Sequence, residues 1–132
     1  MPLWQIAVDG SNAAAKEVGG PWYFPIPGLE AIRSFTVGRK QEQAVDVPIP
    51  TDKSLSAKHA QFALSEGGEL TIQDLGSTYG VHVNGERLSE KKCVSERRAL
   101  ADGARLKLGS TAFVVRRLPL VVCFSGIAAA QK

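Results

Sequence analysis

Soft and metal-ligating side chains are scarce in this sequence of 132 residues: two cysteines, two histidines and one methionine. Cys93 and Cys123 lie 30 positions apart, so no disulfide framework of the kind that staples small secreted domains is available. His59, His82 and the two cysteines are scattered, without the paired spacing a structural or catalytic metal requires, and no metal and no cofactor is expected. Long apolar runs are missing too. The longest, residues 118–124, is strand-sized and far below the ~20 residues that span a bilayer, so no membrane partner is expected. No basic start followed by an apolar stretch opens the chain, and the thiols are expected to be reduced, in cytoplasm or nucleus. Neither a G-x-S-x-G elbow nor a P-loop nor a dinucleotide fingerprint occurs, which leaves little room for an enzyme.

The composition is that of a folded domain, with 44% hydrophobic and 22% charged residues. Sixteen Lys and Arg against thirteen Asp and Glu leave a net charge of +3, a mild bias toward an anionic partner. Short apolar runs alternate with turn signals and no long helical period appears. Strands are expected at residues 3–9, at WYFPIPG as a proline-limited edge, at 32–39 and at 45–49. HAQFALS and LTIQDL follow, joined by a Gly-Gly turn; then GVHVNGERL, centred on Asn84-Gly85; then two alternating strands in ADGARLKLGSTAFVVRRL. Closely spaced strands without intervening helices argue for an all-β sandwich. Residues 89–103 read as a charged loop or a single helical turn, whose basic pairs form a solvated face. The early aromatics Trp4, Trp22, Tyr23 and Phe24 are expected in the core.

The chemistry-bearing residues sit in the expected loops. Gly38-Arg39 ends one strand, Ser56-x-x-His59 precedes another, and Gly76-Ser77-Thr78-Tyr79-Gly80 joins two more. In a sandwich, loops far apart in sequence return to the same edge. Ser56 and His59 could form a nucleophile pair, with Asp74 as a conceivable orienting acid. Such a pair also needs an oxyanion hole, and Ser56 does not stand on a strand-to-helix turn. What the loops collect is a guanidinium, hydroxyls and glycines that bare backbone N–H groups, the donor set for a phosphate.

The ordered set GR…SxxH…STYG…VNG resembles the forkhead-associated (FHA) family over about residues 3–118. The resemblance implies an FHA-type β-sandwich of about eleven strands that binds phosphothreonine peptides and is no enzyme. It implies a phosphopeptide-binding set of Arg39, Ser56, Lys58, Ser77, Thr78 and Tyr79, with Lys40 and Lys53 completing a basic surround. Gly38, His59, Asn84 and Gly85 are implied as structural support of the binding loops: His59 holds the Ser56 loop, and the Asn84 amide bridges loops and fixes the main chain of the peptide. Tyr79 stands where many members have asparagine, and Ala57 follows the motif serine.

Residues 1–118 are thus expected to form the FHA domain. PLVVCFSGIAAAQK (119–132), with its continuous apolar run, resembles a linker and the first strand of a BRCT domain. That order is similar to a nuclear scaffold of double-strand-break repair and checkpoint signalling. The implied partners are acidic, multiply phosphorylated phosphothreonine proteins, and nuclease-complex subunits held by other parts of a longer chain, with no direct nucleic-acid binding. Two other readings stand beside it, an FHA domain of another signalling protein and a basic nucleic-acid-binding β module. The latter would need aromatics on one sheet face.

Overall fold

The computed structural model describes residues 3–9, 21–25, 31–39, 46–49 and 52–118. Among these the structure is all-β, with eleven strands in two sheets. They are β1 (Leu3–Val8), β2 (Trp22–Phe24), β3 (Ser34–Gly38), β4 (Val47–Pro48), β5 (Ala60–Leu64), β6 (Leu70–Asp74), β7 (Val81–Val83), β8 (Glu86–Arg87), β9 (Arg98–Ala99), β10 (Arg105–Leu108) and β11 (Thr111–Leu118). The larger sheet runs β2-β1-β11-β10-β7-β8 and the smaller β4-β3-β5-β6-β9. β2 and β4, both limited by proline, are edge strands, as a residue without an N–H requires. Pairing is antiparallel apart from β3 with β4.

Alternation decides which side chains meet between the sheets. Trp4 and Ile6, Leu106 and Leu108, Phe113 and Val115, and Val81 and Val83 face inward from the larger sheet; Val37, Ala60, Phe62, Leu70 and Ile72 answer from the smaller one. Phe35 stacks on Phe62 at 4.9 Å and meets Phe24 edge-on at 5.1 Å, offset geometries that ring quadrupoles favour. The buried Trp4 indole donates to the Gly68 carbonyl (3.0 Å), so one polar handle ties β1 to the β5–β6 turn of the other sheet.

Residues 89–103 form an exposed loop containing β9 and a bridge between Leu75 and Val94, with no helical turn. Lys91, Lys92, Arg97 and Arg98 are all exposed, and Arg98 pairs with Glu86 at 3.2 Å. Tyr23 departs from expectation. It is 42% exposed, because its position opposite Gln5 puts it on the outer face of the sheet, where the Gln5 amide donates to its hydroxyl (3.1 Å). Trp4 and Phe24 are buried and Trp22 is half-buried. The segment 119–132, expected as a linker and BRCT-like strand, and Lys40 lie outside the described residues.

Candidate functional site

Three loops converge on Ser56. The first is the end of β3. Gly38 lies against the Ser56 loop so closely that a Cβ there would stand 2.1 Å from the Ala57 carbonyl oxygen. Only glycine permits that approach. It brings the Arg39 N–H within 3.0 Å of the Ser56 carbonyl. The second loop carries Ser56 itself. The third is residues 76–80, whose Thr78 N–H donates to the Ser56 hydroxyl oxygen at 3.3 Å. Arg39, Ser56 and Thr78, 39 positions apart from first to last, therefore share one rim of the sandwich.

His59 holds these loops together. It is fully buried. Its Nδ1 accepts from the Ser56 N–H (3.1 Å), which leaves Nε2 as the protonated nitrogen, donating to the Gly80 carbonyl (2.8 Å). Its own N–H reaches the Val37 carbonyl and its carbonyl accepts from the Leu75 N–H. Both ring nitrogens are thus occupied by backbone, and neither is available to take a proton from the Ser56 hydroxyl. Burial holds the imidazole below its ordinary pKa, outweighing the bond to Gly80 and the charges of Asp74 and Asp52, so the neutral tautomer is the working one.

Two buried carboxylates shape the flanking loops. Asp74 accepts from the Gly76 and Ser77 N–H groups (2.9 and 2.7 Å) and from the Ser77 and Ser89 hydroxyls (2.9 and 3.3 Å). It binds its own turn rather than His59, which removes it as the orienting acid of a triad. Asp52 accepts from the Ser54 N–H and hydroxyl, the Ser110 N–H (3.1 Å) and the Thr111 hydroxyl (2.6 Å). Burial alone would raise its pKa, but the hydrogen bonds from Ser54, Thr111 and Ser110 hold it below the usual carboxylate value. It moors the approach to Ser56 to the β10–β11 turn. The spacings D-x-S at 52–54 and D-x-x-S at 74–77 are those of side chains that bond their own backbone two or three residues on, and they were the available signal for both.

The expected residues divide accordingly. Ser77 is fully buried; its hydroxyl donates to Asp74 and accepts from the Gly80 N–H (3.0 Å). It is an internal brace with nothing left to offer a ligand, unlike the adjacent Thr78, whose hydroxyl makes no hydrogen bond among the described residues. Asn84 corrects a second expectation. It lies at the far end of β7, where its N–H donates to the Arg105 carbonyl (2.7 Å) and its Oδ1 accepts from the Arg105 N–H (2.9 Å). Its amide fastens a hairpin to β10 and does not bridge the three loops. Gly85 serves the same hairpin, with φ of 88°. Lys58, Lys53 and Tyr79 are exposed, the tyrosine by 60%.

One residue of the rim escaped the sequence. Arg87 of β8 donates from Nη2 to the Thr78 carbonyl (3.2 Å) and from Nε to the Ser89 carbonyl (2.7 Å), which fixes an exposed guanidinium beside the third loop. The Nε of Arg39 behaves oppositely. It is buried and has no partner among the described residues. A buried donor left unmade costs about 1–3 kcal/mol, a cost that an incoming acceptor at this rim would remove.

Residues 35–109 match the family model described as FHA domain. No curated protein matches the sequence at a significant level. Among solved structures, the FHA domain of CT664 protein from Chlamydia trachomatis superposes with a TM-score of 0.67 at 21% identity, over 89% of this chain and 99% of that one. The kinase-interacting FHA domain of the kinase associated protein phosphatase of Arabidopsis gives 0.68 at 20%, over 88% and 93%. A domain solved in a study of phosphothreonine-dependent FHA interactions gives 0.62 at 23%, over 91% and 100%. At such identities the likeness speaks for the fold.

Proposed function

The chain belongs to the FHA family, and from that premise we propose that it is a phosphothreonine-peptide-binding module rather than an enzyme. The observation that carries the reading is the buried, unpartnered Arg39 Nε at a rim where the Ser56 and Thr78 loops meet. Around a phosphate, the Arg39 guanidinium takes the dianion's charge and the Ser56 and Thr78 hydroxyls donate to the remaining oxygens. The Ser56 oxygen already accepts from the Thr78 N–H, which orients its proton outward from that bond. Charge-assisted bonds contribute about 1.5–3 kcal/mol each. Three of them, less ordering and desolvation costs, leave roughly the 7–8 kcal/mol of a micromolar complex, suited to a contact that a kinase makes and a phosphatase ends. Lys53, Lys58 and Arg87 make the surround basic, which favours acidic, multiply phosphorylated segments. Tyr79, largely exposed beside Thr78, is the candidate reader of ligand residues past the phosphothreonine.

The finer reading is that this is the FHA region of a nibrin-like scaffold of double-strand-break repair in the nucleus. It rests on VGRK, SAKHA and STYG followed by the BRCT-like PLVVCFSGI. In that setting nuclease subunits would be held elsewhere in a longer protein.

The test is a titration with one peptide in phosphothreonine, phosphoserine and unmodified forms. Micromolar binding of the first alone is expected. Arg39→Ala should weaken it at least about 100-fold, or roughly 2.7 kcal/mol, with an unchanged melting temperature. Affinity untouched by Arg39→Ala removes the assignment.

A further inference from the structure

The outer face of the six-stranded sheet carries charge of nearly one sign. The register aligns Ala112 of β11, Lys107 of β10, His82 of β7 and Arg87 of β8 in one row across the strands. The next row holds Ala7, Val114 and Arg105, and the one after it Tyr23, Gln5 and Arg116. Arg87, Arg105, Lys107 and Arg116 are all exposed. Arg105, Lys107 and Arg116 have no ion-pair partner among the described residues, and Glu86, the carboxylate next to Arg87, is engaged by Arg98. Along Arg105 and Lys107 runs an open groove of about 340 Å³, with Ala112, Phe113 and Val114 in its lining and Asp9 as the one carboxylate among the described residues that line it. The Nδ1 of His82, also in the lining, is covered and has no hydrogen-bond partner.

The groove is distinct from the rim built around Ser56, with Arg87 adjoining both. It runs from Gly85 back to His82, two residues or roughly 6.6 Å from Gly80 of the rim, and among the described residues its lining contains none of those of the three loops around Ser56.

We propose that the groove is a second docking surface, which takes an unphosphorylated acidic segment of a partner protein in extended form. Charge complementarity selects acidity. Arg105 and Lys107 stand two residues apart on one strand, roughly 6.6 Å, the spacing of alternate residues in an extended segment, so carboxylates at every second position match them in register. The small apolar lining selects a side chain with some hydrocarbon between the acids. A nucleic-acid backbone fits less well. Among the described residues of the groove lining the one aromatic, Phe113, is buried and offers no face on which a base could stack, and the outward Tyr23 lies on the distant edge strand with its hydroxyl bonded to Gln5.

The probe is a fluorescein-labelled, unphosphorylated peptide of alternating Asp and Ala with Leu at its centre, measured by anisotropy with the 132-residue chain at low salt. Binding is expected, weakened about tenfold or more by Arg105→Glu with Lys107→Glu, and unchanged by Arg39→Ala. The milder pair Arg105→Ala with Lys107→Ala should weaken it in the same direction. Each double variant should keep its melting temperature and bind a phosphothreonine peptide within about twofold of the parent. The proposal is overturned if the probe does not bind, if its binding ignores both double variants, or if Arg39→Ala abolishes it. It is equally overturned if a mixed-sequence single-stranded DNA binds more tightly than the peptide and is released by the same variants.

Discussion

β7 has a turn at each end, and the two turns use similar residues for opposite purposes. At the Ser77–Gly80 end the polar groups are divided between a brace and a rim: Asp74 and Ser77 consume one another, and His59 ties Gly80 to Ser56. Among the described residues, the hydroxyls of Ser56 and Thr78 and the Nε of Arg39 find no acceptor. At the Asn84–Gly85 end the backbone and the side-chain oxygen of Asn84 are spent on β10. Both residues have positive φ (51° and 88°), as a two-residue hairpin turn with matching twist demands, and the Asn84 amide closes on β10. A turn becomes a binding site when a second layer of hydrogen bonds holds it still while the first layer stays unspent.

The largest way to break this comparison is Gly38→Ala. The added Cβ would meet the Ala57 carbonyl at 2.1 Å, and its second contact is backbone as well, so no side chain can swing aside. Either β3 or the Ser56 loop must move. Overpacking of this kind costs about 3 kcal/mol. The rim should open with it, so phosphopeptide affinity should fall along with the melting temperature. Chemical denaturation and titration of the same sample check both. A variant that keeps full affinity would show that the Ser56 loop is not held by this contact.

Much of this was legible beforehand. Alternation placed the strands of HAQFALS, LTIQDL and the final pair, because period-2 burial writes itself directly into sequence. Arg39, Ser56 and Thr78 were legible as an ordered set, and Gly38 as a place where a Cβ would interfere. What stayed hidden is what depends on partners distant along the chain. Two adjacent hydroxyls, Ser77 and Thr78, look alike in sequence, yet Asp74 claims one of them from beneath the loop. Asn84 carries the strongest turn signal in the chain, but its amide partner, Arg105, is 21 positions away. Arg87 became visible only once β8 had paired with β7 and set it against Thr78. Tyr23 looked like core until its register opposite Gln5 turned it outward.

A pH titration of the unliganded protein sharpens the comparison next, with a smaller effect than Gly38→Ala. His59 has a folded pKa below the 6.5 of a free imidazole, chiefly through burial. Below pH 6.5 the unfolded chain therefore binds the proton first, and stability falls as pH falls. The contribution of His59 is intact above pH 6.5 and is lost on the way down through the lower, folded pKa. Asp52 and Glu86, also depressed, start from 3.8 and 4.5 and lose their contributions only below those values, so the interval between about pH 4.5 and 6.5 reports on the histidine. The melting temperature should decline across it. In His59→Asn that decline should be reduced, on a less stable background. Omitting ligand matters, since a phosphate monoester takes up its own proton near pH 6 and would weaken binding for an unrelated reason. A melting temperature flat across this interval would mean that the imidazole is not held neutral by the fold.

The smallest effect belongs to the Asn84–Gly85 turn. Gly85→Ala meets no atom within 4 Å, so space is no obstacle. The cost is conformational alone, about 1 kcal/mol for an L side chain at φ of 88°. Because Asn84 and Gly85 answer to β10 and not to the Ser56 loop, phosphopeptide affinity should stay within about twofold while the denaturation midpoint shifts. Comparing Gly85→Ala with Gly38→Ala in the same titration separates the two ends of the sandwich: one glycine sets stability only, the other sets stability and binding together. A loss of affinity in Gly85→Ala would place the hairpin in contact with the ligand after all, and would return Asn84 to the loop-bridging role implied by its motif.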